Sequence, residues 1–343
     1  MDVVVGPMGK RLTTTGKTSE EQRQYFKALL DDPEAPVPMS VRLKAWWQGY
    51  DIDTWLAHQL AQPRSRSTAT SAVTDQVGPE AAQTERPVWS AARIEVVEQI
   101  WGQGFATPGG EDFIPNLIKL LGLNPAMSVL DLSAGLGGAA RLMVQKYGAW
   151  VTGLEMNEVL ATAGMERSMK AGMAKRAPIT VYNPEFFELE KRYDCIFSKE
   201  SFYTVANKER LFALLVKGLK PNGQLLFSDY VIDEDRVKPA ALAAWTKREA
   251  VTPHLWTLAR YQQMFKEHEL DMRTTVDITD DHRLLVLTAW SRFSEMLKEK
   301  NADRETLLEM FREAELWARR MVVLENGVRV YRFFGLRPGG AIV

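Results

Sequence analysis

The 343-residue sequence holds a single cysteine, Cys195, and only four histidines: His58, His254, His268 and His282. One cysteine excludes an intramolecular disulfide and any cysteine-cluster zinc or iron–sulfur site. No two histidines stand at HxxxH spacing, so no metal centre is expected. No apolar run approaches the ~18 residues of a membrane span. The opening residues do not read as a signal peptide, and a cytoplasmic location is expected. Charge of one sign is also lacking: 43 Lys and Arg stand against 44 Asp and Glu, a formal net charge of -1. That balance argues against bulk nucleic-acid binding. Apolar residues make up 45 % and charged residues 25 %, as in ordinary globular chains with one or two domains. Tryptophan, by contrast, is plentiful, with ten copies.

Residues 1–60 read as a small helical region carrying Trp46, Trp47, Tyr50 and Trp55. Gly49, Asp51 and Asp53 split its second helix into two pieces. These aromatics suit a cap or a dimerisation surface. Residues 61–88 offer few large apolar groups to offset ordering entropy and read as a flexible linker. The main domain is expected over 89–343. From Ser128 onward, strands alternate with amphipathic helices: 128–132, 150–155, 179–182, 194–198 and 224–230 are strand-like. That alternation predicts a largely parallel α/β sheet with helices on both faces. The late segment 328–338 reads as an added strand.

The sharpest local feature is VLDLSAGLGG, with Asp131, Ser133, Gly135, Gly137 and Gly138. A strand delivers an acid, and the chain then turns on small residues into a helix. Small residues let backbone amides approach a ligand, and the helix N-terminus favours an electron-rich group. Glu155 closes the next strand, where a carboxylate accepts both hydroxyls of a ribose. Dinucleotide sites use G-x-G-x-x-G, with no acid required ahead of it. Nucleoside–methionine sites use D-x-G-x-G-x-G. Here the acid is present and a strict GxGxxG is absent, which favours the second type over a dinucleotide site or a purely structural turn.

On these motifs, residues from about 90 to 338 resemble the class I S-adenosylmethionine-dependent methyltransferases. Among these the segment is most similar to small-molecule enzymes of the phosphoethanolamine, sarcosine/glycine and ubiquinone/sterol type. The resemblance implies a Rossmann-like sheet with a helical acceptor cap inserted at about 234–260, and S-adenosyl-L-methionine as cofactor. Ser133 departs from the first motif glycine, yet still allows a tight turn. The resemblance places Asp131 on the methionine amino group. It sets Gly135 and Gly137 behind the methionine and ribose, and Glu155 on the ribose hydroxyls. Met156 would pack on the adenine, Glu185 would meet its amino group, and Phe186 would wall it. Ser198 would stand beside the cofactor. Met156 and Phe186 also read as core residues, and Glu185 as a solvated group beside a helix cap. WGQGFATPGG (101–110) resembles a lead segment, in which Trp101, Phe105 and Thr107 would close over the methionine end.

Methyl transfer needs an aligned acceptor and excluded water, and an amine acceptor needs a group that handles its proton. SKESFYTV (198–205) supplies Lys199, Glu200 and Tyr203, and the fifth strand ends at Asp229 and Tyr230. The resembled phosphobase enzymes carry an aspartate where Glu200 stands and a histidine where Thr204 stands. The cap adds Trp245, His254, Trp256 and Arg260, whose aromatic faces suit a cationic nitrogen or an apolar wall. His254 reads as a general base or as a surface residue. Trp317, Arg320 and Tyr331 read as supports. The expected catalytic set is Glu200, Tyr203, Tyr230 and His254. The expected reaction is methylation of a small-molecule amine. The alternatives are O- or C-methylation of a ring or chain metabolite, or S-methylation of a thiol. A homodimer through the N-terminal region is a further expectation, with no nucleic-acid partner.

Overall fold

In the computed structural model, residues 19–31, 41, 45, 52–61, 88–297 and 303–339 are described. The chain divides into two units, Met1–Arg86 and Pro87–Val343. In the first, helices α1 (Ser19–Asp31) and α2 (Ile52–Ala61) bury Phe26, Leu29, Ile52, Trp55 and Leu56 together. The Phe26 and Trp55 rings meet edge-on at 5.4 Å, a favoured geometry for aromatic pairs. The expected aromatics Trp46, Trp47 and Tyr50, and residues 62–87 of the expected linker, lie outside the described residues.

The second unit opens with α3 (Ala91–Trp101), capped by the Ser90 side chain on the Arg93 amide, and α4 (Gly110–Ile118). Five parallel strands follow: β1 (Ser128–Asp131), β2 (Trp150–Glu155), β3 (Ile179–Val181), β4 (Tyr193–Lys199) and β5 (Leu219–Ile232). Between them run α5 (Gly138–Tyr147), α6 (Glu158–Lys170) and α7 (Lys208–Gly218). Asn157 and Asn207 cap α6 and α7 through their side chains. Then come α8 (Pro239–Thr246), a two-residue strand β6 (Trp256–Thr257) and α9 (Leu258–Glu267). The chain closes with β7 (Asp271–Asp277), α10 (Thr279–Leu297), α11 (Arg304–Glu325) and β8 (Val328–Leu336).

The strand order is β3-β2-β1-β4-β5-β8-β7, with β6 beside β5. β8 runs antiparallel to both β5 and β7. The order reverses between β1 and β4. Ligands of open α/β sheets bind at such switch points, outside the carboxyl ends of the strands. Residues 221–223 form a bulge inside β5. Tyr193 pairs with Leu219 and Cys195 with Gln224, so two steps on β4 match five on β5. Asn222 takes the left-handed conformation there, with φ 63°, which asparagine tolerates better than most residues.

One face of the sheet packs Leu225, Phe227 and Phe333 against Phe212 of α7 and Tyr261 and Phe265 of α9. The other packs Val129, Phe197 and Leu226 with α3, α10 and α11, through Val96, Val97, Phe293 and Trp317. Cys195 is buried in β4. Burial pushes its thiol up to about 12, so the thiol stays protonated and inert. β8 fixes the start of α10: the Val330 amide donates to the Thr279 hydroxyl, and the Ile278 amide donates to the Val330 carbonyl. That anchoring brings the first turn of α10 over the carboxyl end of the sheet.

Candidate active site

The glycine turn after β1 needs backbone that only small residues supply. Gly135 and Gly137 adopt φ of 51° and 79°, in the left-handed region that a side chain disfavours. Asp131 is fully buried at the end of β1. Its Oδ1 accepts from the Ser133 amide at 3.0 Å and the Ser133 hydroxyl at 3.1 Å. Its Oδ2 is buried with no partner. Burial, opposed by the Ser133 bonds, pushes this carboxyl up to about 7. A buried acceptor left open is costly unless a ligand donor completes it, and the amino group of S-adenosylmethionine is such a donor. The residues present therefore fit that cofactor.

Glu155 stands across the turn at the end of β2. It accepts from the Gly135 amide at 2.9 Å through Oε2 and from the Asn157 amide at 2.9 Å through Oε1. Burial raises its carboxyl despite these bonds. A carboxylate has about four acceptor positions, so two backbone bonds leave capacity for two hydroxyls. Met156 follows it, and the Thr204 hydroxyl lies 3.8 Å from its sulfur. Glu185 accepts from the Ala206 amide at 2.9 Å and the Asn207 amide at 3.4 Å, which ties it to the entry of α7. Phe186 is 79 % exposed and so is no core residue. The Ser198 hydroxyl is buried and bonded to the Ser201 hydroxyl at 2.6 Å.

The lead segment docks on the glycine turn through its backbone. The Gly138 amide donates to the Gly104 carbonyl at 2.9 Å. The Gly104 amide in turn donates to Glu98 at 2.7 Å, and Glu98 pairs with Arg167 at 2.6 Å. A Cβ on Gly138 would lie 2.5 Å from the Gly104 oxygen and 2.8 Å from the Phe105 ring, so only glycine permits this approach. Phe105 is buried here, whereas Thr107 is exposed. Trp101 is buried beneath, with its ring 4.8 Å from Trp317 and 6.4 Å from Trp290. Its indole nitrogen has no partner.

The acceptor side grows from the end of β4. The Ser133 hydroxyl accepts from the Lys199 amide at 2.7 Å. Glu200 follows, with φ 52°. A non-glycine residue held there is strained and needs a compensating role. Its Oε1 accepts from Lys199 Nζ at 2.7 Å and lies 3.2 Å from His282 Nδ1. Burial alone would raise the Glu200 carboxyl, but the His282 and Lys199 charges outweigh it and hold it well below the usual carboxylate range. His282 Nε2 faces the Tyr230 hydroxyl at 3.4 Å. Tyr230 packs on Tyr203 at 4.9 Å and on Trp245 at 5.6 Å. Arg320 grips Glu249 with two bonds of 2.6 and 2.8 Å and donates to the Tyr203 hydroxyl at 3.2 Å.

The structure therefore brings Glu200, Tyr203 and Tyr230 together, and leaves the His254 ring out. The His254 backbone is fixed, its amide donating to the Tyr203 carbonyl at 2.6 Å, while the residue itself is exposed. Of the expected cap aromatics, Trp245 joins the tyrosine cluster. Trp256 lies behind the sheet instead, stacked on Phe212 at 6.0 Å, because β6 extends the sheet beside Val231. Arg260 pairs with Glu209 at 2.8 Å. Asp229 also points to that far face. Its carboxylate accepts from the Tyr203 amide at 3.0 Å and from the Tyr261 hydroxyl, and burial pushes it up to about 7. His282 was absent from the expected set. As a lone histidine in the polar opening of a helix, it carried no local signal.

Comparison with known proteins agrees with this geometry. Residues 109–275 match a family model described as a methyltransferase domain. The chain is similar to phosphoethanolamine N-methyltransferase 1 of Zea mays, 27 % identical over 216 residues, which are 63 % of this chain and 41 % of that protein. It is also similar to phosphoethanolamine N-methyltransferase of Plasmodium falciparum (isolate 3D7), 24 % identical over 70 % of this chain and 90 % of that one. The chain thus spans about two-fifths of the maize relative's length. Among solved structures, Haemonchus contortus phosphoethanolamine N-methyltransferase 2 in complex with S-adenosyl-L-methionine superposes with a TM-score of 0.63 at 19 % identity. It covers 71 % of this chain and 56 % of that one.

Proposed function

We infer that the chain is a class I S-adenosylmethionine-dependent methyltransferase that transfers a methyl group to the nitrogen of a small-molecule amine, a reading supported by the match of residues 109–275 to a methyltransferase-domain model. The carrying observation is the continuity between two buried carboxylates. Ser133 bonds Asp131 through its hydroxyl and holds the amide of Lys199, whose neighbour is Glu200. The open Oδ2 of Asp131 suits a cofactor ammonium, and Glu155 suits the ribose. Bound S-adenosylmethionine would supply an electrophilic methyl on a sulfonium. Phe105 and the Gly104–Gly138 contact would exclude water from that end, and the Tyr203, Tyr230 and Trp245 rings would orient a basic nitrogen.

The charge balance bears on the acceptor. Lys199 is neutralised by Glu200 and Arg320 by Glu249. Neither cation is left over for a phosphate dianion, which favours an amine without a phosphomonoester. Thr204 holds the Ser201 carbonyl at 2.7 Å and supplies no base. The test has two arms. Calorimetry with S-adenosylmethionine should show one site per chain, and no binding would end this reading. A transfer screen against simple amines, phosphoamines, phenols, quinones and thiols, read as adenosylhomocysteine release, should favour a non-phosphorylated amine. Turnover confined to phenols, quinones or thiols would establish the oxygen, carbon or sulfur alternative.

The N-terminal region 1–60, joined through 61–88, is assigned on the same footing to dimerisation or to covering the acceptor entrance. Deleting residues 1–61 should change oligomeric mass or acceptor kinetics, and an effect on neither would sink both roles. No helix among the described residues is long and apolar enough to cross a membrane.

A further inference from the structure

We propose that Glu200, His282 and Tyr230 form a proton relay for the acceptor nitrogen, in which His282 is a positioning residue that takes the proton through Tyr230. The proposal rests on the reading of the chain as an amine methyltransferase. His282 is 2 % exposed, and its two ring nitrogens meet one group just beyond β4 and one within β5. Nδ1 lies 3.2 Å from Glu200 Oε1 and Nε2 lies 3.4 Å from the Tyr230 hydroxyl. Packing does not require this arrangement. An apolar ring would fill the same space beside Trp317, whose ring lies 6.1 Å away, without burying a polar group.

The tautomer follows from the partners. An ionised carboxylate only accepts hydrogen bonds, so when the ring gives up its Nε2 proton, and with it the charge that helps hold Glu200 ionised, the remaining hydrogen sits on Nδ1. The Nε2 lone pair then faces the Tyr230 hydroxyl. Its 3.4 Å separation is long, as such contacts often are before substrate tightens them. A protonated acceptor amine has no lone pair to attack with, so its surplus proton must leave before the carbon–nitrogen bond forms and the methyl–sulfur bond breaks, the sulfur keeping the electron pair. That proton passes to the Tyr230 oxygen while the tyrosine's own proton moves to His282 Nε2. The resulting imidazolium stands against Glu200.

Other titratable groups around this chain of contacts are already committed. Lys199 at the end of β4 is held by Glu200. Tyr203, from the short turn after β4, accepts from Arg320 of α11, and Glu249 beyond α8 pairs with Arg320. On the helix of His282 itself, Asp280 is exposed and Arg283 binds Glu325.

Two measurements test the relay. In His282→Asn, kcat should fall about 100-fold, and the acidic limb of the kcat/KM pH profile should disappear. Affinity for S-adenosylmethionine should stay within about twofold. A variant with the parent's pH profile would overturn the relay. The second measurement needs no acceptor, so it separates failure of the relay from failure of the methyltransferase reading. The chain has only four histidines, and His282→Asn assigns the ring in two-bond proton–nitrogen spectra. The Nδ1–H tautomer is expected for His282, and the Nε2–H tautomer would overturn the proposal.

Discussion

The Ser133 hydroxyl accepts a hydrogen bond from the Lys199 amide at 2.7 Å, joining the glycine turn after β1 to the end of β4. The same oxygen donates to Asp131 Oδ1 at 3.1 Å. The residue that departs from the glycine of the resembled motif thus links the cofactor side to the acceptor side. Ser133→Ala leaves the Lys199 amide without this partner, which costs about 1–3 kcal/mol when a buried donor loses its acceptor. Denaturant unfolding should show that loss. Transfer rate should fall further than cofactor affinity, because Glu200 hangs from the loosened segment. An unaltered unfolding midpoint would show that the link carries no strain.

Arg320 and Glu249 form a second linkage, now between α11 and the segment after α8. Their side chains are 11 % and 5 % exposed, so the pair is largely desolvated. Removing one partner of such a pair leaves a buried charge uncompensated and costs about 3–5 kcal/mol. Glu249→Gln should therefore lower stability in chemical denaturation by an amount near the lower end, because the amide still accepts one bond from Arg320. It should also free the guanidinium towards anions. If phosphoamines become better acceptors in this variant, the charge balance is what excludes them in the parent.

The cofactor half was legible because its signal is local. A strand, an acid, a turn of small residues, a helix and a second acid lie within 25 consecutive positions, from Asp131 to Glu155. Their register in space follows from β1 pairing with β2. The acceptor half is assembled by long connections. His282 reaches Glu200 across 82 positions, 282 minus 200, because β8 pins the start of α10. No periodicity announces that. His254 looked more suitable, lying between two tryptophans in the expected cap, yet β6 turns that stretch into a sheet margin. A two-residue strand is too short for alternation to show. Likewise Trp256 and Trp245, eleven positions apart, end on opposite sides of the sheet.

The lead segment gives a steric prediction. Gly138 sits against the Gly104 carbonyl, and a Cβ there would come within 2.5 Å of that backbone oxygen. A backbone atom does not yield as a flexible side chain does, so Gly138→Ala should push residues 101–110 away from the turn. Intrinsic helix propensity works the other way, since alanine stabilises a helix by about 1 kcal/mol over glycine. Stability should therefore change little while cofactor dissociation speeds up. Stopped-flow release of adenosylhomocysteine would read the difference. A dissociation rate equal to the parent's would detach Phe105 and its neighbours from any covering role.

Asp131 sets a pH dependence with a definite sign. Burial holds its carboxyl at about 7 in the free protein, against an ordinary value near 3.8. Pairing with an ammonium requires the ionised form, so binding must expel a proton wherever the free carboxyl is protonated. Affinity for S-adenosylmethionine should weaken below pH ~7, by about tenfold at pH 6 for a single such group, and weaken again above ~8 as the ligand's α-amino group loses its proton. Calorimetry in buffers of different ionisation enthalpy should detect close to one proton released at pH 6, a release that shrinks as the pH rises through 7. Glu155 is also raised, so Asp131→Asn is needed to assign the slope. That variant keeps the Ser133 bonds to a side-chain oxygen while losing the charge. Its affinity should be low and independent of pH across this window. A surviving slope would transfer the titration to Glu155 and leave Asp131 a structural acid.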